Sequence, residues 1–255
     1  LRFEAAERIL YDGNVRRPLD QAAIDRAVDD IRGSGAECLA ICLIFGFINP
    51  DHERRLRDAI QTALPDLQIS ISSEVQPEFR EYERLSTTVL NTYLQPVVAG
   101  YLSEFEDRLG ELMPNAALGI NQSAGGLMTP ARARQLPIRT ALSGPAAGVV
   151  GAIDTARAAG LADVITLDMG GTTAKASLIE EGEISYSPQY EVGASLSSSS
   201  RLVGGGGEIV RAPTIDIAEV GAGGGSIAYL DGANGLHVGP RSAGAVPGPA
   251  CYRRG

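Results

Sequence analysis

VITLDMGGTTAKASLI, residues 164–179, decides how the rest of the chain is read. An apolar run (Val164, Ile165, Leu167) ends at an acid, Asp168. The chain then turns through Gly170, Gly171, Thr172 and Thr173, and an alternating pattern resumes from Ala174 to Ile179. Apolar stretches on either side of a glycine turn predict strand, tight turn, strand. Glycines, having no Cβ, let successive backbone N–H groups approach an anion, and the flanking hydroxyls add donors, so the turn suits phosphate oxygens. Asp168 at its mouth suits a hydrated Mg²⁺ or the orientation of a water. The same residues also make an ordinary hairpin with a polar tip. No helix follows, so neither a Walker loop nor a dinucleotide fingerprint fits, since both need strand, glycines and helix.

Just upstream, Ser143-Gly144-Pro145-Ala146-Ala147-Gly148-Val149-Val150-Gly151-Ala152 reads as the start of a helix that runs to about Ala159 and stops at Gly160. Ser143 or Gly144 can cap it, Pro145 suits its first turn, and Gly160 suits its C-terminal cap. Small residues at 144, 147, 148, 151 and 152 leave one side nearly bare. An interior glycine costs a helix roughly 1 kcal/mol, so a close crossing by another backbone is expected there.

This order of parts resembles the second half of the actin-like ATPase superfamily. The wording is closer to one branch, the hydantoinase A, 5-oxoprolinase and N-methylhydantoinase family. LSGPAAGVVGA (142–152), LDMGGTTAKASLI (167–179), IDIAEVGAGGGSIAYLD (215–231) and GPRSAGAVPGPACYRRG (239–255) look like its signatures, in its order, as do EFREYERLSTTVLNTYLQPV (78–97) and NQSAGGLMT (121–129). The resemblance implies an α/β fold of ribonuclease-H-like (actin-like ATPase) lobes, with mixed sheets flanked by helices. Residues 1–140 would be the C-terminal part of the first lobe and 141–255 the start of the second, with its phosphate-binding hairpin. It implies ATP-dependent opening of a small cyclic amide, of hydantoin or 5-oxoproline type, by phosphoryl activation of the carbonyl. ATP and Mg²⁺ are the implied cofactors, and a hydantoinase B-type subunit or domain the implied partner.

Under that resemblance Asp168, Thr172 and Lys175 are the catalytic candidates, with Asp168 also the metal ligand. Gly170, Gly171, Thr172 and Thr173 would grip phosphate, and Gly223, Gly224, Gly225 and Ser226 would close over the other side. Where the family commonly reads DMGGTSTD, Ala174 and Lys175 here replace a Thr-Asp pair. Exchanging a carboxylate for an ammonium favours direct phosphate contact over metal binding. One alternative is the ATP-using subunit of an acetone- or acetophenone-type carboxylase; another is a nucleotide-binding subunit without turnover. Against the family's pattern the chain is expected to be an internal fragment, lacking an earlier phosphate hairpin and a later nucleoside-contacting region.

With 255 residues and 44% hydrophobic content the chain can bury one large core or two modest ones. A net charge of -9 with 22 scattered basic residues argues against nucleic acid as a partner. No run approaches membrane-spanning length and no leader opens the chain, so a cytoplasmic protein with no membrane contact is expected. Three cysteines without framework spacing suggest reduced thiols. Cys38 and Cys42 fall on one face of an expected buried strand over 37–47, and Cys251, with no nearby base in sequence, is read as structural. His52 and His237 are expected on the solvated surface, since no second ligand lies at metal spacing.

Elsewhere, paired strands are expected around Asp12-Gly13, a helix over 20–31, a helix from Asp51 to about 64, and a strand over 68–72. That alternation favours a mostly parallel sheet flanked by helices. Residues 78–84 alternate opposite charges and open a long helix, about 82–112, kinked near Pro96. They read as a solvated face with i,i+4 pairs, although the resemblance keeps Arg80, Glu81 and Arg84 as candidates near a cleft or subunit contact. A strand over 117–121 delivers Asn121, Gln122 and Ser123 to a glycine loop that suits a ligand or a plain turn equally. Residues 195–200 and 204–207 read as a linker. A strand over 213–220, with Asp216 and Glu219, leads to the 221–226 glycine turn, and the tail reads as loop.

Overall fold

The computed structural model describes residues 1–192 and 207–254; almost all of the serine- and glycine-rich stretch read as a linker lies outside them. The chain divides into two compact units, one of residues 1–120, 128–140 and 209–212, the other of residues 121–127, 141–208 and 213–255.

In the first unit, strands β1 (Arg8–Ile9) and β2 (Val15–Arg17) pair across the Asp12-Gly13 turn, where Gly13 takes the positive φ of 84° that suits glycine. Helix α1 (Gln21–Arg32) starts where the Asp20 carboxylate accepts the Ala23 N–H at 2.8 Å. It buries Ala23, Ile24, Ala27, Val28 and Ile31, the row its spacing predicts. Strand β3 (Cys38–Ile41), helix α2 (Asp51–Ala63) and strand β4 (Gln68–Ile71) form a parallel pair with a helical crossover, in register Cys38 to Gln68 and Ile41 to Ile71. Leu19, Ile24, Ile31, Ile41, Leu56, Ile60 and Ile71 make the core between them.

The strand expected through Phe47 ends at Ile41, and a buried carboxylate is the reason. Glu53, wholly buried in the first turn of α2, accepts the Leu43 N–H (2.8 Å), the Ser73 N–H (2.8 Å) and the Ser72 hydroxyl (2.6 Å). This draws residues 43–48 into a turn, with Phe45 at φ 60° and Gly46 so close that a Cβ would lie 2.6 Å from the Glu53 carboxylate. His52 is not at the surface as expected: it is buried, with Nδ1 2.7 Å from the Glu7 carboxylate, because the N-terminal segment folds over the start of α2.

Helix α3 (Glu81–Leu112) carries Pro96 inside it and reverses the usual amphipathic order. Before Pro96 its buried residues are all polar, Arg84, Thr87, Thr88, Asn91, Thr92 and Gln95, and Leu102 is buried beyond it. Each threonine hydroxyl donates to the carbonyl four residues earlier, at 2.7 to 2.8 Å. Asn91 donates to the Ser70 hydroxyl and the Gln135 carbonyl, both at 3.0 Å, and Gln95 donates to the same carbonyl at 3.2 Å, which ties α3 to β4 and to the short helix α4 (Pro130–Gln135). The charged opening is therefore no solvated face. Arg84 is fully buried, donating to the carbonyls of Glu78 (2.9 Å) and Leu43 (2.7 Å), with its guanidinium 5.0 Å from the Phe47 ring centroid.

The second unit packs helix α5 (Ser143–Ala158) on an antiparallel sheet of β5 (Val164–Met169), β6 (Ala174–Glu180), β7 (Glu183–Ile184) and β8 (Ala218–Val220). β6 pairs with all three others, and β5 has a strand neighbour on one side only among the described residues. Ala146, Val149, Ile153, Ile179, Ile215 and Ile217 form the core. A ribbon of β9 (Ser226–Leu230) and β10 (Leu236–Ser242) follows, so strand structure extends into the tail read as loop. No helix among the described residues is long and apolar enough to cross a membrane.

Glu53→Ala leaves three donors around a buried site without their acceptor. The expected cost is about 3 kcal/mol of unfolding free energy in the full-length protein. Urea denaturation measures it, and an unmoved midpoint would count against the clasp.

Candidate functional site

The 164–179 stretch folds as its pattern predicts: β5 and β6 pair in register from Val164 with Ile179 to Met169 with Ala174, and Gly170 to Thr173 make the tip. Within the tip the Gly170 N–H donates to the Thr173 carbonyl at 3.0 Å. The N–H groups of Gly171, Thr172 and Thr173 donate to nothing among the described residues. Asp168 is exposed and its carboxylate makes no hydrogen bond or ion pair among them, and Thr172 is also exposed. Lys175, opposite Asp168 in the ladder, donates to the Thr173 hydroxyl at 2.6 Å and lies 3.1 Å from the Glu219 carboxylate. Glu219 faces Lys175 in the β8 register, so the charge gained at Lys175 is offset by a neighbour 44 residues on.

The structure brings Gly223, Gly224, Gly225 and Ser226 against this tip. Their amides are spent on it rather than turned outward: Gly224 N–H donates to the Gly170 carbonyl (2.9 Å) and Gly225 N–H to the Gly171 carbonyl (2.7 Å), while the Ser226 hydroxyl accepts the Gly223 N–H (2.7 Å). Only glycine allows the approach. A Cβ on Gly223 would lie 2.7 Å from the Gly170 oxygen and 2.8 Å from the Thr173 nitrogen, and one on Gly225 would lie 2.9 Å from the Gly171 oxygen. A third segment, which sequence reasoning left as tail, completes the stack. The Ser242 hydroxyl donates to the Gly171 carbonyl (3.1 Å), and the Ala243 N–H donates to the Gly225 carbonyl (2.8 Å). The signal for it was the GPRSAGAVPGP wording, since nothing in local spacing links Ser242 to Gly171, 71 residues away.

Helix α5 starts at Ser143 from a left-handed Leu142 (φ 59°) with no side-chain cap, so the N-cap is neither Ser143 nor Gly144, contrary to expectation, and the helix ends before Gly160 at φ 72° as expected. Its bare side does not meet another backbone. Nothing lies within 4 Å of where a Cβ would project from Gly144, Gly148 or Gly151. The small residues instead open a hollow of about 560 Å³, lined by Gly148, Gly151 and Ala152 on α5, by Val164, Ile165 and Leu167 on β5, and by Asp168 and Lys175.

The remaining candidates have structural roles. Ser123 is buried, donates to the Ala141 carbonyl, and offers its own carbonyl to the Ile215 N–H at 2.8 Å, so the Asn121 loop clasps the second unit's core. Asp216 presents a solvent-shielded Oδ1 without a partner. Arg80 opens α3 in a left-handed conformation (φ 73°) and contacts Glu83 at 3.5 Å. Burial, and then the charge of Glu37, raises the Cys38 thiol pKa; Cys251 is exposed. His237 pairs with Asp231 at 2.7 Å, and that bond, followed by the Gly235 and Ala233 amides, holds the Asp231 carboxyl below its ordinary range. No group of three or more His, Cys, Asp or Glu suited to a metal occurs among the described residues.

The Hydantoinase/oxoprolinase family model matches residues 84–255, and the Hydantoinase/oxoprolinase N-terminal region matches residues 1–64. Caprolactamase subunit alpha of Pseudomonas jessenii is 37% identical over 260 residues, covering 100% of this chain and 35% of that protein. The acetophenone carboxylase gamma subunit of Aromatoleum aromaticum is 31% identical over 98% of this chain and 33% of its own length. For 5-oxoprolinase 1 of Arabidopsis thaliana the identity is 33%, over 96% of this chain and 17% of that protein. The crystal structure of ATP-dependent caprolactamase from Pseudomonas jessenii matches with a TM-score of 0.76 at 37% identity, covering 97% of this chain and 34% of that one. The shared fold is the expected α/β one. The chain thus spans about a third or less of the length of these relatives.

The glycines separate into two classes by what surrounds them. Gly225→Ala is expected to push the 170–173 tip out of place and to speed hydrogen exchange at the bonded amides of Gly170 and Gly224 at least tenfold. Gly148→Ala, in open space, is expected to leave exchange at the tip unchanged and to stabilise α5 by up to about 1 kcal/mol. Hydrogen exchange on both variants checks the contrast.

Proposed function

This chain belongs to the hydantoinase/oxoprolinase family, and on that premise we propose that the whole protein is an ATP-dependent cyclic amidohydrolase acting on a ring of hydantoin, lactam or 5-oxoproline type. The observation that carries the reading is the 170–173 tip, whose N–H groups at Gly171, Thr172 and Thr173 are unspent beside an exposed, unpaired Asp168. Successive free amides on a glycine turn fit the oxygens of a terminal phosphate. Lys175, fixed between Glu219 and Thr173, adds a positioned cation. A single carboxylate also fits Mg²⁺, which keeps most of its waters and takes remaining ligands from phosphates. In this reading Asp168 would hold the ion, which would supply charge neutralisation at the phosphate.

An unactivated amide carbonyl resists water. ATP supplies the phosphoryl group that turns its oxygen into a leaving group, which asks a protein for positioning and charge stabilisation more than for covalent chemistry. The chain's share is to hold and orient. Gly171, Thr172 and Thr173 grip the terminal phosphate through N–H groups, Thr172 adds its hydroxyl, and Lys175 fixes Thr173. Gly223 to Ser226 keep the tip in shape through its carbonyls. Residues 1–140 and 141–255 are assigned to successive lobes, and a hydantoinase B-type partner in the cytoplasm completes the enzyme. The words "subunit alpha" and "gamma subunit" in two relatives' names support the partner.

The acetophenone carboxylase relative favours a second reading, in which the same tip serves phosphorylation in a carboxylase. With full-length protein plus partner, phosphate release stimulated by a cyclic amide supports the first reading, and release needing both bicarbonate and a ketone supports the second. Nucleotide binding without turnover would leave only a non-catalytic subunit. Asp168→Ala is expected to lower kcat for ATP hydrolysis at least about 100-fold, and intact hydrolysis would refute the site. Lys175→Met is expected to raise KM for ATP about tenfold, the loss of one charge-assisted hydrogen bond.

A further inference from the structure

We propose that the outward face of α3 is the docking surface for a second, different subunit, one presenting an apolar strip with Lys or Arg set against the C-terminal turns of α3. The proposal rests on the two-subunit reading above and assigns the contact to this helix.

Leu85, Val89, Tyr93, Val97, Tyr101 and Phe105, each four residues apart, form one ridge, and they are 42, 47, 71, 73, 63 and 40% exposed. No charged residue interrupts the helix from Leu85 to Ser103. A surface helix normally turns its apolar side inward and its polar side to water. Here the inner side from Arg84 to Gln95 is the polar one, held through Asn91, Gln95 and the threonine hydroxyls, and Leu102 is buried beyond it, so α3 cannot roll over to hide its ridge. A contiguous exposed ridge of this kind marks an interaction surface. It runs about 30 Å at 1.5 Å per residue. Its three aromatic rings alone would bury on the order of 400 Å², about half of what one partner gives a standard interface.

Charge selects the occupant. After the ridge come Glu104, Glu106, Asp107 and Glu111; Arg108 pairs with Glu104 and Arg134 of α4 with Glu106, which leaves Asp107 and Glu111 without a cation among the described residues, and the last turn of α3 holds no basic residue. Acids there add to the negative end of the helix dipole, an arrangement relieved by a facing cation. A second copy of this chain supplies none. Laid parallel it opposes acid to acid; laid antiparallel it offers Glu81, an Arg80 already beside Glu83, and a buried Arg84.

The test uses the full-length chain and the hydantoinase B-type subunit as the probe. A Val89→Glu/Tyr93→Glu double variant is expected to weaken the complex at least about 30-fold while leaving the thermal unfolding of the isolated chain unchanged. Independently, a Tyr93→Cys thiol in a Cys251→Ser background is expected to react rapidly with a maleimide in the isolated chain and to be protected once the subunit is added. A complex that ignores the double variant and leaves the thiol reactive overturns this proposal but not the two-subunit reading. Absence of any complex with the parent chain overturns both. Protection already present in the isolated chain, or protection gained on self-association or on phospholipid vesicles, gives the ridge another occupant and overturns the proposal.

Discussion

Two backbone hydrogen bonds, from the amides of Gly224 and Gly225 to the carbonyls of Gly170 and Gly171, set the geometry of the candidate site in the second unit. They take the carbonyls of Gly170 and Gly171 and leave the amides of Gly171, Thr172 and Thr173. A two-stranded hairpin in isolation is marginal in water, and its tip is the part least held by the ladder. Here the tip is held from outside by a second glycine turn and, through Ser242, by a third segment, so a flexible tip becomes a fixed row of donors. Close approach of backbone to backbone is the constraint, which is why glycine stands at 223 and 225.

The first unit turns on a comparable economy with a different group. Glu53 gathers two amides and a hydroxyl from separate stretches of chain, and Arg84 caps the carbonyl of Leu43 while the Glu53 carboxylate takes the amide of the same residue. Both ends of one peptide segment are thus held by buried charges with fixed partners. The resulting turn over 43–48 replaces strand that its apolar residues alone would favour.

Local chemistry was legible in the sequence wherever it is local in the structure. The Asp12-Gly13 turn, the buried row of α1, the β5–β6 hairpin and the Gly160 stop all follow from neighbours within a few residues. What could not be read depends on partners distant in the chain. His52 looked solvated because Glu7, 45 residues away, is invisible to local pattern. The end of β3 depends on Glu53, the charge balance at Lys175 on Glu219, and the closure of the tip on Ser242. Two features went further and inverted a local rule. The glycines of α5 signalled close backbone contact and face open space, while the charged opening of α3 signalled water and is buried at Arg84. In each case the pattern marked an unusual position without saying what would occupy it.

The edge of β5 carries a consequence for anyone handling this length of polypeptide. Its outer side has no strand neighbour among the described residues, and Ile165, Leu167 and Met169 are 74, 74 and 62% exposed along it. A strand margin this apolar, with Asp168 its only charge, is adhesive toward another extended chain. Aggregates or oligomers formed by these 255 residues at high concentration would therefore report that stickiness, not the quaternary arrangement of the whole protein.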